Sequence, residues 1–332
     1  MDNDRNILWK NNIPTSKEAV EKAVRDIAID PREIQSAIEP VSGWGWYGDL
    51  LEETGMKVHL VEVYKSKLIA ESKLKNDKVD SKILAEMMRS DFLPTAYLAP
   101  KAVREMREFM RARAFLVRLR TRIRNRIHMM LGKHGIICPW TDLFGKSGLI
   151  WLKEQKLDAA SAEELKSLLI LFRELSLHIQ DRDRICLGKV TESNGAKILM
   201  SLPGIGVVTA LTMLAEIGDY RRFASPEKLA SFAGLVSSSY SSGERYRFGR
   251  ITRRGSVWLR TTALVESTGK VSKKWGYLYD FYSKLRERKG NKIARVALAR
   301  KILMLSWHLV VNNQTFNPNP KGRMDSVKTG SS

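Results

Sequence analysis

Cysteine is nearly absent from this chain, with Cys138 and Cys186 the only two in 332 residues. Two thiols cannot build a disulfide framework, and no Cys/His spacing suggests zinc. Long apolar runs are missing as well. None approaches the roughly 18 residues of a bilayer-spanning helix, and the N-terminus lacks the apolar stretch of a signal peptide, so a cytoplasmic protein is expected. No H-E-x-x-H pattern, Walker A pattern or tandem repeat occurs. His128, His134, His178 and His308 fall in helical or loop contexts that suit structural roles. Acid is scarce relative to base: 57 Lys and Arg against 36 Asp and Glu give a formal charge of +21 and a pI near 10.0. That excess calls for a polyanionic partner, and nucleic acid comes before a membrane surface because the basic helices lack an aromatic apolar face.

The N-terminal third alternates strand and helix, the α/β pattern. Residues 5–13 alternate polar and apolar and read as a strand, and Ser16 then reads as the N-cap of a helix to about Ile29. Ile34 to Glu39 is a second strand, followed by a glycine-marked turn into a helix, and Lys57 to Val63 is a third. A helix follows over 76–90. From Pro100 the composition changes to a basic, breaker-free helix running to Gly132. Val103, Met106, Met110, Val117, Ile123, Ile127 and Met130 form its apolar stripe, with Arg107, Arg111, Arg118, Arg122 and Arg126 partly exposed. A loop over 138–148 leads to a second long helix, 161–188, able to pair antiparallel with the first. Further helices are expected at 256–269 and 293–311, joined by a basic segment, before an aperiodic tail.

Three acids stand where metal ligands are often found. Glu39 ends a strand, while Asp77 and Asp80 open a helix three residues apart, on one face. Carboxylates gathered at such ends can hold Mg²⁺, which takes a few protein oxygens and keeps waters. The same two aspartates equally suit a helix N-terminus, whose dipole they complement.

The densest stretch is Leu202 to Arg260. Pro203, Gly204 and Gly206 form a tight turn between two helices, resembling a helix-hairpin-helix turn, and its outward amides can hold a phosphate. Ser237, Ser238, Ser239, Ser241 and Ser242 end at Gly243, and Arg245, Arg247, Arg250, Arg253 and Arg254 follow. A hydroxyl beside many cations suits phosphodiester chemistry. Taken singly, a serine-rich run is also an ordinary solvated loop and a basic run an ordinary solvated face.

In order, these motifs say more. GLVSSSYSSGERYRFGRITRRGSVWLRTTALVES resembles the C-terminal signature of the insertion-sequence 110 family of transposases, a serine-glycine pair ahead of G-x-I-T-x-x-G. NDKVDSKILAEMMR is similar to that family's acid-x-x-acid helix, and SAIEPVSGWGWYGDLLEETG to its Glu-bearing strand. The resemblance implies an RNase H-like, RuvC-like acidic domain over 1–98, here expected to lack its first strand and leading Asp. A basic helical hairpin over 99–190, a mainly helical serine transposase domain over 191–312 and a disordered tail over 313–332 would follow. It implies that Ser242 attacks DNA and that Glu39, Asp77 and Asp80 hold Mg²⁺, while the turn's amides and the cations lead to the expectation that Gly204, Gly206 and Arg245, Arg247, Arg250, Arg253 and Arg254 contact DNA. A homo-oligomer guided by a noncoding RNA is expected on the same ground. A metal-dependent junction nuclease and a non-catalytic nucleic-acid-binding remnant remain the other readings.

Overall fold

A computed structural model of the chain describes residues 1–70, 77–242, 245–252, 255–260 and 267–319, with backbone alone at 67–70, 77–80, 237–242, 245–248, 250, 267 and 270. Two compact units emerge, Met1–Ala102 and Val103–Ser332.

The first unit is built on a small sheet. Ser16 accepts the Ala19 N–H and starts helix α1, Lys17–Asp26, whose Val20, Ala23 and Val24 are spaced to bury one stripe. Strand β1, Gln35–Ile38, pairs in parallel with β2, Lys57–Val61, through the crossover helix α2, Trp44–Glu53. Ile38, Leu50, Leu51, Met56 and Leu60 meet Val20 and Val24 in the core. Each such burial contributes about 1.5–3 kcal/mol as an upper bound. Strand β2 ends sooner than its sequence suggests. The Glu62 carboxylate accepts the Lys65 N–H and turns the chain into helix α3, Val63–Ala70. Helix α4, Asp77–Arg89, and a two-residue antiparallel strand β3, Thr95–Ala96, complete the unit. The expected strand over 5–13 does not form. Asp2 accepts the Asp4 and Asn6 N–H groups in a local turn, and Ile7 and Leu8 stay about half exposed. Alternation alone does not make a strand, because without a neighbour to pair with it gains no ladder hydrogen bonds.

Helix α5, Lys101–Lys133, which belongs to the second unit from Val103 on, and α7, Ala159–Glu192, lie antiparallel. Met110 meets Cys186, Arg113 Nε donates to Asp183 at 2.6 Å, and Arg126 Nε donates to Glu164 at 2.6 Å. Of the expected stripe only Met110, Ile127 and Met130 are fully buried, joined by Leu131. The hairpin has a core at each end: Met110 belongs to the main core, while Ile127, Met130 and Leu131 pack with Leu143, Leu152 and Leu165 at the tip. The connecting segment is only partly loop, since Lys146–Lys153 forms helix α6. Next come α8, Asn194–Met200, α9, Val207–Ile217, and α10, Pro226–Phe232.

A correction concerns the serine and arginine runs, which form the antiparallel hairpin β4, Ser237–Ser242, and β5, Arg245–Ile251. Serine disguises the strand, and Tyr240, Tyr246, Phe248 and Ile251 are the residues that favour it. Of the helix expected over 256–269, the described residues show helical backbone at 257–260 and a 3₁₀ helix at Ser267–Lys270, while residues 261–266 lie outside the description. The basic segment before the last helix holds a helix of its own, α11, Tyr277–Lys289. Helix α12, Asn291–Val311, then runs through the main core, burying Ala294, Leu298, Ala299, Ile302 and Leu303. The expected tail lies outside the description from residue 320.

Candidate functional site

Glu39 follows β1 directly, where Val41 N–H turns back to its carbonyl at 2.8 Å and Gly43, at φ +84°, leads into α2. It lines a cavity of about 430 Å³ with Thr15, Trp44, Trp46 and Tyr47, and with Ser81 and Leu84 of α4. Burial pushes the Tyr47 phenol up, which keeps it a neutral donor. Asp77 opens α4 and Asp80 sits one turn later. Helical spacing sets positions 77 and 80 in line with 81 and 84, the two that reach the cavity. The side chains of Asp77 and Asp80 lie outside the description. Among described residues no three His, Cys, Asp or Glu side chains cluster for a metal.

In the second unit the turn between α8 and α9 has the conformation its glycines permit. Gly204 adopts φ +82°, Ile205 is buried as a plug, and Gly206 is the N-cap of α9. Both glycines are exposed, and the first amides of α9 have no intrahelical acceptor, leaving an electropositive helix end at the surface.

Ser242 is the last residue of β4 and lies directly opposite Arg245, with Tyr240 opposite Arg247. Arg250 falls near the end of β5; Arg253 and Arg254 lie outside the described residues, as does Gly243. Thr252 N–H donates to Val236 O at 2.9 Å, which closes the base of the hairpin. Gly255, at φ +100°, passes so near α10 that a Cβ there would stand 1.9 Å from the Phe232 carbonyl oxygen. Only glycine fits such an approach.

Below this base lies a polar cluster whose roles the sequence reading missed. Glu216 of α9, 5% exposed, accepts Arg111 Nε at 2.8 Å and Arg111 Nη2 at 3.0 Å, and takes the Ser256 hydroxyl at 2.9 Å. Arg107 donates to the Ala215 and Glu216 carbonyls, the unsatisfied last turn of α9. Buried Arg260 donates to Ala233 O at 3.1 Å, and the Arg118 guanidinium lies 4.3 Å from the Trp258 ring. The signal was present: Glu216 is the only charged residue in the apolar run VVTALTMLAEI, and such an acid needs a partner. Four of the five arginines read as partly exposed on α5, namely Arg107, Arg111, Arg118 and Arg126, are thus engaged by the protein itself.

With this geometry in place, two family models match the chain. Residues 1–135 match a DEDD-type transposase model of IS110 elements, and residues 196–283 match the model described as Transposase IS116/IS110/IS902 family. The chain is 26% identical to a probable family 20 transposase of Pseudomonas aeruginosa, over 85% of both chains. It is 26% identical to the transposase for insertion sequence element IS1111A of Coxiella burnetii, over 73% of this chain and 68% of that one. A pilin gene-inverting protein of Moraxella bovis is 31% identical over 37% of this chain and 38% of its own. No helix among the described residues is long and apolar enough to cross a membrane.

Proposed function

We propose that this chain, which carries both the DEDD-type and the IS116/IS110/IS902-type transposase regions, is a DNA transposase that cuts and rejoins strands through a serine. The observation that carries this reading is the placement of Ser242 at the end of β4, opposite Arg245, in a hairpin pinned at its base.

In the proposed step the Ser242 Oγ–phosphorus bond forms as the bond from phosphorus to a DNA sugar oxygen breaks. The serine proton leaves, and the departing sugar oxygen is protonated. Rejoining reverses this, with a sugar hydroxyl attacking the phosphoserine. A serine hydroxyl is a weak nucleophile at neutral pH, so the step needs a proton acceptor and stabilised charge at the phosphate. Arg245, Arg247, Arg250, Arg253 and Arg254 would hold that phosphate, and the Gly204–Gly206 turn another along the backbone. Glu39, Asp77 and Asp80 would hold Mg²⁺, an oxygen-only set that fits the ion's preference and a cavity that Glu39 already lines. Bound there, the ion would supply Lewis-acid polarisation of a phosphoryl oxygen.

A noncoding guide RNA, a homo-oligomeric assembly and a cytoplasmic location complete the reading; the +21 charge suits an RNA as well as DNA. In the same reading the two units are an acidic RuvC-like domain and a serine transposase domain, with the α5–α7 hairpin as the link. The test is a denaturing gel of the protein with DNA carrying an element end, in Mg²⁺. A covalent protein–DNA band absent from Ser242→Ala supports the serine. Cleavage that persists without any such band would instead favour a metal-dependent nuclease.

A further inference from the structure

We infer that the cavity beside Glu39 is a nucleobase pocket, which takes one base drawn out of a DNA duplex and stacks it on the aromatic side chains at the start of α2. This rests on the reading that DNA is the substrate, and it adds which part of the DNA enters the first unit. Three large aromatics, Trp44, Trp46 and Tyr47, stand within four residues of one another and line the cavity together. All three are half-buried and pack against the core of Ile38, Leu50 and Leu60, so the rings are anchored before a ligand arrives. The Trp46 indole is set more firmly still. It meets Tyr47 edge-on, with ring centroids 5.8 Å apart, and it lies so near Gly43 that a Cβ there would stand 2.9 Å from its ring nitrogen.

The volume, about 430 Å³, falls in the range of small-ligand sites and has room for one nucleotide. The other described walls are apolar or hydroxylic, with Ile38, Val41 and Leu84 beside Thr15, Ser42 and Ser81. Such walls suit a flat ring with a hydrogen-bonding edge: the aromatics offer π-faces, and a hydroxyl can donate to or accept from any base. They do not suit a bare phosphate, which the Glu39 carboxylate at the same cavity would repel. A chain of charge +21 nevertheless draws a polyanion to its surface, and the part of a nucleic acid that this cavity accepts is the base. The sugar and phosphate stay at the mouth. Drawing a base out of a duplex is unfavourable by itself, and stacking on an indole offsets that cost.

The test uses the full chain without divalent cation, so that no strand is cut, and two DNA probes of equal length: a fully paired duplex, and one with a central bubble of a few unpaired nucleotides. Trp46→Ala should weaken bubble binding about five- to hundredfold, the range of one stacked base, and leave duplex binding within about twofold. Trp46→Phe, which keeps a π-face, should restore most of the affinity. Abasic sites through the bubble should cost the unchanged protein a similar factor and cost Trp46→Ala nothing further, because both changes remove one interaction. Leu84→Trp, which fills the cavity from α4 and removes no ring, should reproduce the loss, and it decides the matter if Trp46→Ala fails to fold. In the unchanged protein, iodouracil placed through the bubble should photo-crosslink to Trp44, Trp46 or Tyr47, as read by peptide mass. Bubble affinity unchanged in both variants, equal losses on bubble and duplex, or crosslinks confined to other residues would overturn the inference. None of these readouts needs Ser242 or a metal ion. Adduct formation with crosslinks elsewhere removes the pocket alone, while crosslinks in the pocket without any adduct remove the serine step alone.

Discussion

Arg111 and Glu216 meet through two hydrogen bonds, 2.8 and 3.0 Å long, but they are unequal partners: the arginine side chain is 35% exposed and the glutamate 5%. Removing one member of a buried pair costs most when it strands the deeper charge. Arg111→Ala, which leaves Glu216 with only Ser256, should destabilise the second unit by about 3–5 kcal/mol. Glu216→Ala should cost clearly less, since the freed guanidinium can reach water and still has Glu108 4.0 Å away. Urea denaturation of the two variants checks the order, and a larger loss for Glu216→Ala would contradict it.

Gly255 tolerates no side chain. Gly255→Ala must move the loop off the Phe232 carbonyl and hold an L-residue at φ +100°, a backbone strain of about 1–3 kcal/mol. A melting temperature lower by several degrees is expected, together with loss of adduct formation out of proportion to that shift. A variant that melts lower but reacts normally would separate the glycine from the site.

Among the serines, Ser242→Ala should abolish the adduct and leave DNA binding nearly intact, whereas Ser241→Ala should do much less. Arg253→Ala should weaken binding and adduct together, as expected of a phosphate contact. An adduct that survives Ser242→Ala and vanishes with Ser241→Ala would move the nucleophile one residue upstream.

DNA affinity should fall steeply with salt. If about six phosphates are neutralised, log K against log[salt] slopes near −5, and Arg253→Ala should reduce that slope by about 1. A filter-binding titration flat between low and physiological salt would dismiss phosphate contacts as the main source of affinity.

Acid should loosen the N-terminal segment. Arg89, bonded to Glu86 at 2.6 Å, and Arg5 at 3.0 Å hold the Glu86 carboxyl below the ordinary glutamate value. A depressed carboxylate contributes fully above its unfolded pKa, about 4.3, and loses that contribution as pH falls through the lower folded value. Glu86→Gln should therefore lower the melting temperature slightly at pH 7, by an amount that shrinks below about pH 4. A difference that grew on acidification would have the wrong sign.

Much of this architecture is written in local pattern. Ser16 marks the start of α1 correctly, the 35–38 and 57–61 strands stand out by composition, and the periodicity of α5 and α7 carries through 33 and 34 residues. What stayed hidden depended on partners distant in sequence. Residues 5–13 have a strand's alternation and nothing to pair with, while Ser237–Ser242 lack a strand's composition and pair with β5. Helix α11 was masked by its charges. The position of Glu39 just past β1 and the start of α4 at Asp77 were legible because strand and helix ends carry local signals. The bond from Glu216 to Ser256 was not, because it spans 40 residues of sequence and joins a helix to a loop.

The hairpin of α5 and α7 also fixes a length. Thirty-three residues at 1.5 Å each make a rod of about 50 Å, the rise of about fifteen base pairs of duplex at 3.4 Å per step. Its tip has its own core of Ile127, Met130, Leu143, Leu152 and Leu165, so the far end is a built structure and not a fraying terminus. Removing one heptad from each arm would draw that tip inward by roughly 10 Å, or about three base pairs. The separation between this tip core and the main core at the other end of the hairpin is thus a dimension counted in helical residues, adjustable in steps of a turn.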